Sequence, residues 1–308
     1  MKVSIIGAAG TLGSATAYYL ATHGLCDELV LFDISRNHLL FHVKDIETAI
    51  SGLNNTIVRE GKEDRALQDS DVVIMTASMP YRAVTTRREY LFENLDLIKT
   101  TAAKIKTYCP EAIVITATNP IDPLNYAMYL TVGSARERFI GYSLNDTMRF
   151  RMIAAHYLGC KTTALSGLVI GEHGESMVPL FSTLAVDRKP VPVDYSFKEQ
   201  VKRELSNVLN SLNSLNIART TGWTSSVGLS AIVKAIKGDS GVIIPCSAIL
   251  AGEYGAANIS IGVPAAICRR GVGEIVQLEL DPEEREALNQ SIGVQINMTR
   301  EIEKALLE

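Results

Sequence analysis

Gly171-Glu172-His173-Gly174 leaves the apolar, β-branched run Ala164 to Ile170 and puts one imidazole on a turn bracketed by glycines. Upstream, Asp146 and Arg149 stand three apart, a spacing that places both side chains on one helix face. An imidazole carries a proton near neutral pH, and a carboxylate on its second ring nitrogen fixes the tautomer and stabilises the imidazolium. A planar guanidinium can grip a carboxylate through two parallel hydrogen bonds. His173, Asp146 and Arg149 together would supply a proton relay and an anion clamp. Each alone has a blander explanation. Most Asp-x-x-Arg pairs are solvated ion pairs worth about 0.2–0.5 kcal/mol, and Arg151 could be the solvated arginine instead. A lone histidine is more often structural, which is the assignment for His23, His38, His42 and His156. His38 and His42 have the i,i+4 spacing of a helical metal pair, but no cysteine or carboxylate cluster completes a site, so no metal is expected.

The chain opens with an apolar run, Val3 to Ile6, that enters Gly7-Ala8-Ala9-Gly10-Thr11-Leu12-Gly13. Glycines so placed permit a tight turn, close approach of phosphate oxygens to backbone N–H groups and close helix packing, with a pyrophosphate on the helix N-terminus. Gly7, Gly10, Thr11, Leu12 and Gly13 are therefore candidate cofactor contacts. Glycine triplets are common, and without context a plain strand-to-helix turn explains one about half the time. Here Asp33 ends the next strand about 20 residues on, where a carboxylate accepts hydrogen bonds from both adenosine ribose hydroxyls. A phosphate on that ribose would face a like charge, which favours NAD over NADP, with Arg36 the residue that argues the other way. Proton chemistry beside a dinucleotide points to hydride transfer.

These residues need a scaffold, and the first half supplies the pattern of one. Short β-branched runs (Val3 to Ile6, Glu28 to Phe32, Thr56 to Glu60, Asp71 to Thr76, Ala112 to Thr116, Phe139 to Tyr142) alternate with helix-period segments. That alternation predicts an α/β fold with a doubly wound parallel sheet of the Rossmann type and a ligand crevice beyond the strand ends. Gly7, Asp33, Ala77-Ser78 and Asn119-Pro120 fall at those ends. Ser78 to Asn94 carries three arginines, Arg82, Arg87 and Arg88, with few apolar anchors before Tyr90. It is either a solvated loop and helix start or a segment that closes over substrate, where one arginine would polarise a carbonyl gaining alkoxide character. Asn119, held by Pro120, could donate to the same oxygen, although Thr118-Asn119-Pro120 also makes sense as a mere turn.

After about Tyr142 the alternation gives way to an α+β pattern. It comprises a helix (Asn145 to Leu158), a strand (Ala164 to Ile170), a long helical stretch from about Phe197 to Lys237, hairpin-like strands (Val242 to Leu250, Ala266 to Arg269) and a final helix. Asp281-Pro282-Glu283-Glu284 starts that helix with an N-cap oxygen, proline at N1 and acids at the positive dipole end. The division expected is residues 1–142 for the nucleotide and 143–308 for substrate, packed tightly together. The 308 residues are 47% apolar with net charge -4, which suits about two globular domains and leaves no broad positive field for nucleic acid or anionic lipid. No run reaches the ~18–20 apolar residues of a membrane span. Five scattered cysteines without a Cys-x-x-Cys pair fit buried apolar roles in a reducing compartment, so the cytoplasm is the expected location.

In order along the chain, the Gly-Ala-Ala-Gly-x-x-Gly opening, Asp33, Arg87 with Asn94 seven later, Thr118-Asn119-Pro120, Asp146-x-x-Arg149 and Gly171-Glu172-His173-Gly174-Glu175-Ser176 resemble the lactate/malate dehydrogenase family. The resemblance runs nearly the whole length. It implies that Arg87 polarises the substrate carbonyl from a mobile loop, that Arg149 binds the C1 carboxylate, and that Asp146 and His173 form the relay. It further implies that Asn119 touches substrate and nicotinamide, that Ala77, Asn94 and Thr118 belong to the cofactor side, and that the protein is a homodimer or homotetramer. Malate enzymes of the family carry an arginine six residues before the Arg87 position, and lactate enzymes a glutamine; this chain has Tyr81, with Arg82 next to it and Ala83-Val84-Thr85 in place of the usual glycine. Tyr81 and Arg82 are thus the substrate-selecting candidates. Malate/oxaloacetate ranks first, ahead of lactate/pyruvate or a bulkier 2-hydroxy acid. Trp223, in a segment that aligns loosely with the family's substrate-facing wall, either shapes the pocket or packs the core. A non-catalytic NAD-binding scaffold is the rival from another class, and it would have no use for the relay residues.

Overall fold

Runs of apolar, β-branched residues that are too short for helices take the centre of the molecule because both of their faces can be buried. The computed structural model describes residues 1–80, 87–215, 217 and 221–307, without the side chains at 87, 88, 209 and 213. The first half runs β1 (Lys2–Ile6), α1 (Thr11–Thr22), β2 (Glu28–Phe32), α2 (Arg36–Ile50), β3 (Ile57–Glu60), β4 (Val72–Met75), α3 (Arg87–Tyr108), β5 (Ile113–Thr116), α4 (Ile121–Val132) and β6 (Phe139–Gly141). Its strands are parallel in the order β3-β2-β1-β4-β5-β6. Every residue of β4 and β5 is buried, as a doubly covered parallel sheet requires. The winding reverses between β1 and β4, which opens a crevice beyond the carboxyl ends of the strands. The doubly wound fold class read from the sequence is the one observed.

The second half continues with α5 (Leu144–Leu158), β7 (Leu165–Gly171), β8 (Met177–Val186), β9 (Lys189–Pro190), α6 (Tyr195–Ser214), α7 (Gly222–Gly238), β10 (Val242–Ala251), β11 (Ala257–Cys268), β12 (Gly271–Ile275) and α8 (Pro282–Leu307). β10 pairs antiparallel with β6 through Ser247↔Gly141 and Ala248↔Ile140, so one sheet extends through both halves as β6-β10-β11-β7-β8-β9, with β12 on β11. One apolar core follows it, from Ile5, Leu31 and Ile74 through Ile140 to Cys246, Ile261 and Ile292.

Three expectations need correction. The long helical stretch is two helices, α6 and α7; Thr-Thr-Gly at 220–222 is poor helix sequence, and Thr221 is the N-cap residue of α7. β8 was not anticipated, because Pro179, Ser182 and Thr183 interrupt its alternation. The strand expected at Ala266 to Arg269 is only the end of β11, a twelve-residue strand whose Gly262 and Pro264 disguise it. The final helix begins as expected. Asp281 Oδ1 accepts the Glu284 N–H at 2.8 Å and Glu284 Oε2 accepts the Asp281 N–H at 3.4 Å, a reciprocal capping box. Glu284 also takes the Ser182 N–H and hydroxyl at 2.9 and 2.6 Å, which ties α8 to β8.

Candidate active site

The nucleotide turn is stitched to the strand ends beside it. Gly7 and Ala8 donate their N–H groups to the Phe32 carbonyl at 2.9 and 3.0 Å, and Ala77 donates to Ile6 at 3.0 Å. Gly7 has φ +88, and a Cβ there would lie 2.4 Å from the Ala77 nitrogen; a Cβ on Gly13 would lie 2.2 Å from the Gly7 carbonyl oxygen. Glycine at both positions is therefore a steric requirement, and it lets α1 start directly against the turn. The first turn of α1, with Thr11 and Leu12, carries no acidic residue, and Gly10 before it provides no side-chain cap. Its amide dipoles are free to meet an anion. Asp33 Oδ2 accepts the Ala9 N–H at 2.9 Å and Oδ1 accepts the Ser35 N–H at 2.8 Å. A carboxylate has about four acceptor sites, so capacity remains for a ribose diol. Arg36, the residue that spoke for NADP, is paired with Glu60 at 3.0 Å. These residues fit a dinucleotide.

Further along the crevice, the Thr118 hydroxyl donates to the Ala77 carbonyl at 2.7 Å and joins the ends of β4 and β5. Asn94 is fully buried: Oδ1 accepts the Met79 N–H at 2.8 Å, and Nδ2 donates to the Tyr90 and Asn119 carbonyls, each at 3.1 Å. It fastens the start of the Ser78 segment and α3 to the end of β5. Asn119 itself is exposed and precedes a cis bond to Pro120. Tyr81 and Arg82 lie outside the described residues, as does the side chain of Arg87, whose backbone begins α3.

The proposed relay residues meet. His173 Nδ1 is 2.6 Å from Asp146 Oδ2, and Arg149 Nη1 donates to Asp146 Oδ1 at 3.3 Å. Asp146 and Arg149 are 4% and 8% exposed, so this is no solvated surface pair. Because the carboxylate only accepts, Nδ1 bears the hydrogen and Nε2 is left for a substrate. Arg151, the alternative, turns away and donates to the Gly167 carbonyl at 2.8 Å. The turn carrying His173 is held from several sides. Glu172 donates its N–H to the Ser291 hydroxyl at 2.7 Å, Ser176 donates its hydroxyl to Glu172 Oε2 at 2.5 Å, and His173 donates its N–H to Asp122 Oδ2 at 2.7 Å. Burial of His173 disfavours the imidazolium, but the charge and hydrogen bond of Asp146, with the charge of Asp122, outweigh burial and the opposing Arg149, so its pKa is raised. Burial pushes Asp122 up to about 6, against the pull of Ser247 and the His173 amide. Sequence inspection missed Asp122; its signal was a lone carboxylate opening an otherwise apolar helix two residues after Pro120.

Asn145, next to Asp146, accepts from the Tyr142 hydroxyl at 2.6 Å and donates to Ser225 Oγ at 2.7 Å, binding the start of α5 to α7. On α7, Trp223 is 80% exposed, which excludes core packing within this chain. The remaining histidines have ordinary local partners: His23 stacks on Tyr19 and His38 Nδ1 lies 2.7 Å from Ser35 Oγ. Among the described residues no group of three or more His, Cys, Asp or Glu could hold a metal, and no helix is long and apolar enough to cross a membrane. Burial raises the thiols of Cys26 and Cys246 to about 12, so neither is a nucleophile at neutral pH.

Residues 1–141 match the family model of the lactate/malate dehydrogenase NAD binding domain, and residues 144–306 match that of the lactate/malate dehydrogenase alpha/beta C-terminal domain. The chain belongs to the lactate/malate dehydrogenase family. A malate dehydrogenase of Natronomonas pharaonis is 32% identical over 292 residues, 94% of this chain and 95% of that protein. Among solved structures, the malate dehydrogenase from Aeropyrum pernix superposes with TM-score 0.89 at 30% identity, covering 97% of both chains. The lactate dehydrogenase from Cryptosporidium parvum, complexed with lactic acid and nicotinamide adenine dinucleotide, superposes with TM-score 0.92 at 28% identity, covering 98% of both chains. As a family member the chain is an NAD-dependent oxidoreductase acting on the CH–OH group of 2-hydroxy acids. That membership excludes the non-catalytic scaffold.

Proposed function

We propose that this dehydrogenase interconverts malate and oxaloacetate, with residues 1–142 holding NAD and residues 143–308 holding the substrate and the relay. The observation that carries the chemistry is the cluster of part-buried His173 with buried Asp146 and Arg149, tied by the His173 amide to Asp122 at the start of the helix that follows β5. NAD, when bound, accepts or supplies the hydride at its nicotinamide. The chain's residues bind, orient and move the proton. Arg149 receives the C1 carboxylate, a buried guanidinium suited to bidentate contact. In oxidation, neutral His173 takes the hydroxyl proton at Nε2 as the C–H bond gives up its hydride; in reduction, protonated His173 returns a proton to the new alkoxide oxygen. Arg87 and Asn119 stabilise that oxygen as its charge changes. Asp146 holds the ring and shares the positive charge. Gly7, Gly10, Thr11, Leu12, Gly13, Asp33, Ala77, Asn94 and Thr118 shape the NAD side, Asn94 from behind by fixing the Asn119 backbone.

Malate is supported by the relatives named malate dehydrogenases and by Arg82 in the segment expected to face the substrate's far end. Lactate or a bulkier 2-hydroxy acid is the second choice, favoured by Tyr81 at the usual selecting position and by the lactate dehydrogenases among the structural relatives. A homodimer or homotetramer in the cytoplasm is supported by Phe41, Met152 and Trp223, large apolar side chains left exposed on three helices, and by five unbridged cysteines. NADH consumption with oxaloacetate, pyruvate and branched 2-oxo acids, in the wild type and Arg82→Gln, tests the substrate. Oxaloacetate is expected to be turned over fastest and to lose at least about tenfold more than pyruvate in the variant, one lost ionic contact being worth over ~1.4 kcal/mol. Equal losses on both substrates refute Arg82 as the selector.

A further inference from the structure

Asp122 sits in the first turn of α4 and is 1% exposed. Oδ2 accepts the His173 N–H at 2.7 Å, while Oδ1 is buried with no hydrogen-bond partner. The Ser247 hydroxyl is close enough to lower the carboxyl pKa, yet its hydrogen-bonded contact is to Ser260 Oγ at 2.7 Å. A buried carboxylate that is half satisfied is expensive unless a charge compensates it. Among the described residues, two charged groups from the turn after β7 act on Asp122: His173 favours its ionised form and Glu172 opposes it. The side chains that β10 and α8 bring to this turn, Ser247 and Ser291, are neutral. The charges of Asp146 and Asp122 favour the imidazolium of His173, and that of Arg149 opposes it. The imidazolium is thus a cation that acts on Asp122. With the ring neutral, Asp122 and Asp146 both bear on the His173 turn, one at its amide and one at its ring, and an incoming substrate carboxylate adds to the negative charge there. Protonating the ring relieves it.

We propose that Asp122 is a second carboxylate of the relay, a positioning residue that holds the His173 turn by its amide and favours the imidazolium needed to reduce a 2-oxo acid. This rests on His173 being the proton carrier proposed above. Asp122→Asn keeps an acceptor for the His173 amide and removes the charge, whereas Asp122→Ala removes both. In Asp122→Asn, NADH binding is expected to match the wild type, and the pH limb of kcat/KM is expected to move down by about one unit in both directions of reaction, the effect of losing a nearby opposite charge. Reduction then falls several-fold at neutral pH while oxidation persists to more acid pH. Asp122→Ala is expected to lose turnover in both directions with NADH still bound. A merely structural role would lower rates and leave the limbs where they are, and unmoved limbs in Asp122→Asn overturn the proposal. His173→Asn is run alongside. If it retains turnover, the relay itself has failed and Asp122 with it; if it is inactive while the Asp122→Asn limbs stay put, only the Asp122 assignment falls. Should Asp122→Asn not fold, an NMR titration of the His173 ring in the wild type decides. Two inflections, the mark of a coupled pair, are expected, and a single one overturns the proposal.

Discussion

Replacing Asp146 with asparagine changes one oxygen to an amide nitrogen at the most constrained contact of the site. The wild-type carboxylate is buried and lies 2.6 Å from His173 Nδ1, with Arg149 3.3 Å away on its other oxygen. A hydrogen bond to a charged group contributes about 1.5–3 kcal/mol, and each ~1.4 kcal/mol of preference for the imidazolium is one pH unit. The pKa of His173, raised in the wild type, should therefore drop by about 1–2 units. The sign follows from which form reacts. Reduction needs the imidazolium, so its rate should begin to fall at lower pH, and at neutral pH a smaller fraction of the enzyme is competent. A second effect compounds the first. An asparagine amide can donate to Nδ1, which selects the tautomer with hydrogen on Nε2 and blocks proton uptake from a hydroxyl. Together these effects should lower kcat by about 10²–10⁴-fold, the range for a misassigned or missing acid–base group. Steady-state NADH oxidation across mildly acidic to alkaline pH measures both, and NADH fluorescence titration checks that the nucleotide end is intact. An Asp146→Asn enzyme with wild-type kcat and an unmoved pH profile would refute the relay geometry.

Gly13→Ala should force its Cβ to within 2.2 Å of the Gly7 carbonyl oxygen, so the turn or α1 must shift. Overpacking of this kind costs about 1–3 kcal/mol, and NADH dissociation constants at least about tenfold weaker are expected, measured by fluorescence titration; unchanged binding would show that the turn is not the pyrophosphate site. Asp33→Ser should weaken NADH by about tenfold while improving NADPH relative to it, since two acceptors are lost and the like charge is removed. A comparison of kcat/KM for the two cofactors checks this, and an unaltered ratio would remove Asp33 from the ribose site.

The parallel half was readable because its strands are buried on both faces and leave unbroken apolar runs, from Val3 to Ile6 through Ala112 to Thr116. The antiparallel half was not. β8 and β11 mix proline, glycine, serine and threonine with their apolar residues, and their burial depends on partners distant in sequence, Pro245 opposite Pro264 among them. The relay was visible because Asp146, Arg149 and His173 lie in short motifs whose spacing has a helical or turn explanation. Asp122 was not, since one carboxylate in a helix has no periodic signature and its partner is a backbone amide 51 residues away. The side chain of Asn94, a candidate for the cofactor side, holds the backbone of both flanking loops, a detail that spacing cannot announce. Trp223 illustrates the limit of composition: a lone tryptophan in an apolar-rich segment gave no hint that its ring would be exposed.

The ladder between β6 and β10 has a mechanical consequence. Opening the nucleotide and substrate halves like a jaw would shear the backbone pairing of Ser247 with Gly141 and split an apolar interior common to both. The turn that carries Gly7 and the turn that carries His173 accordingly hang from strands of one sheet, β1 and β7.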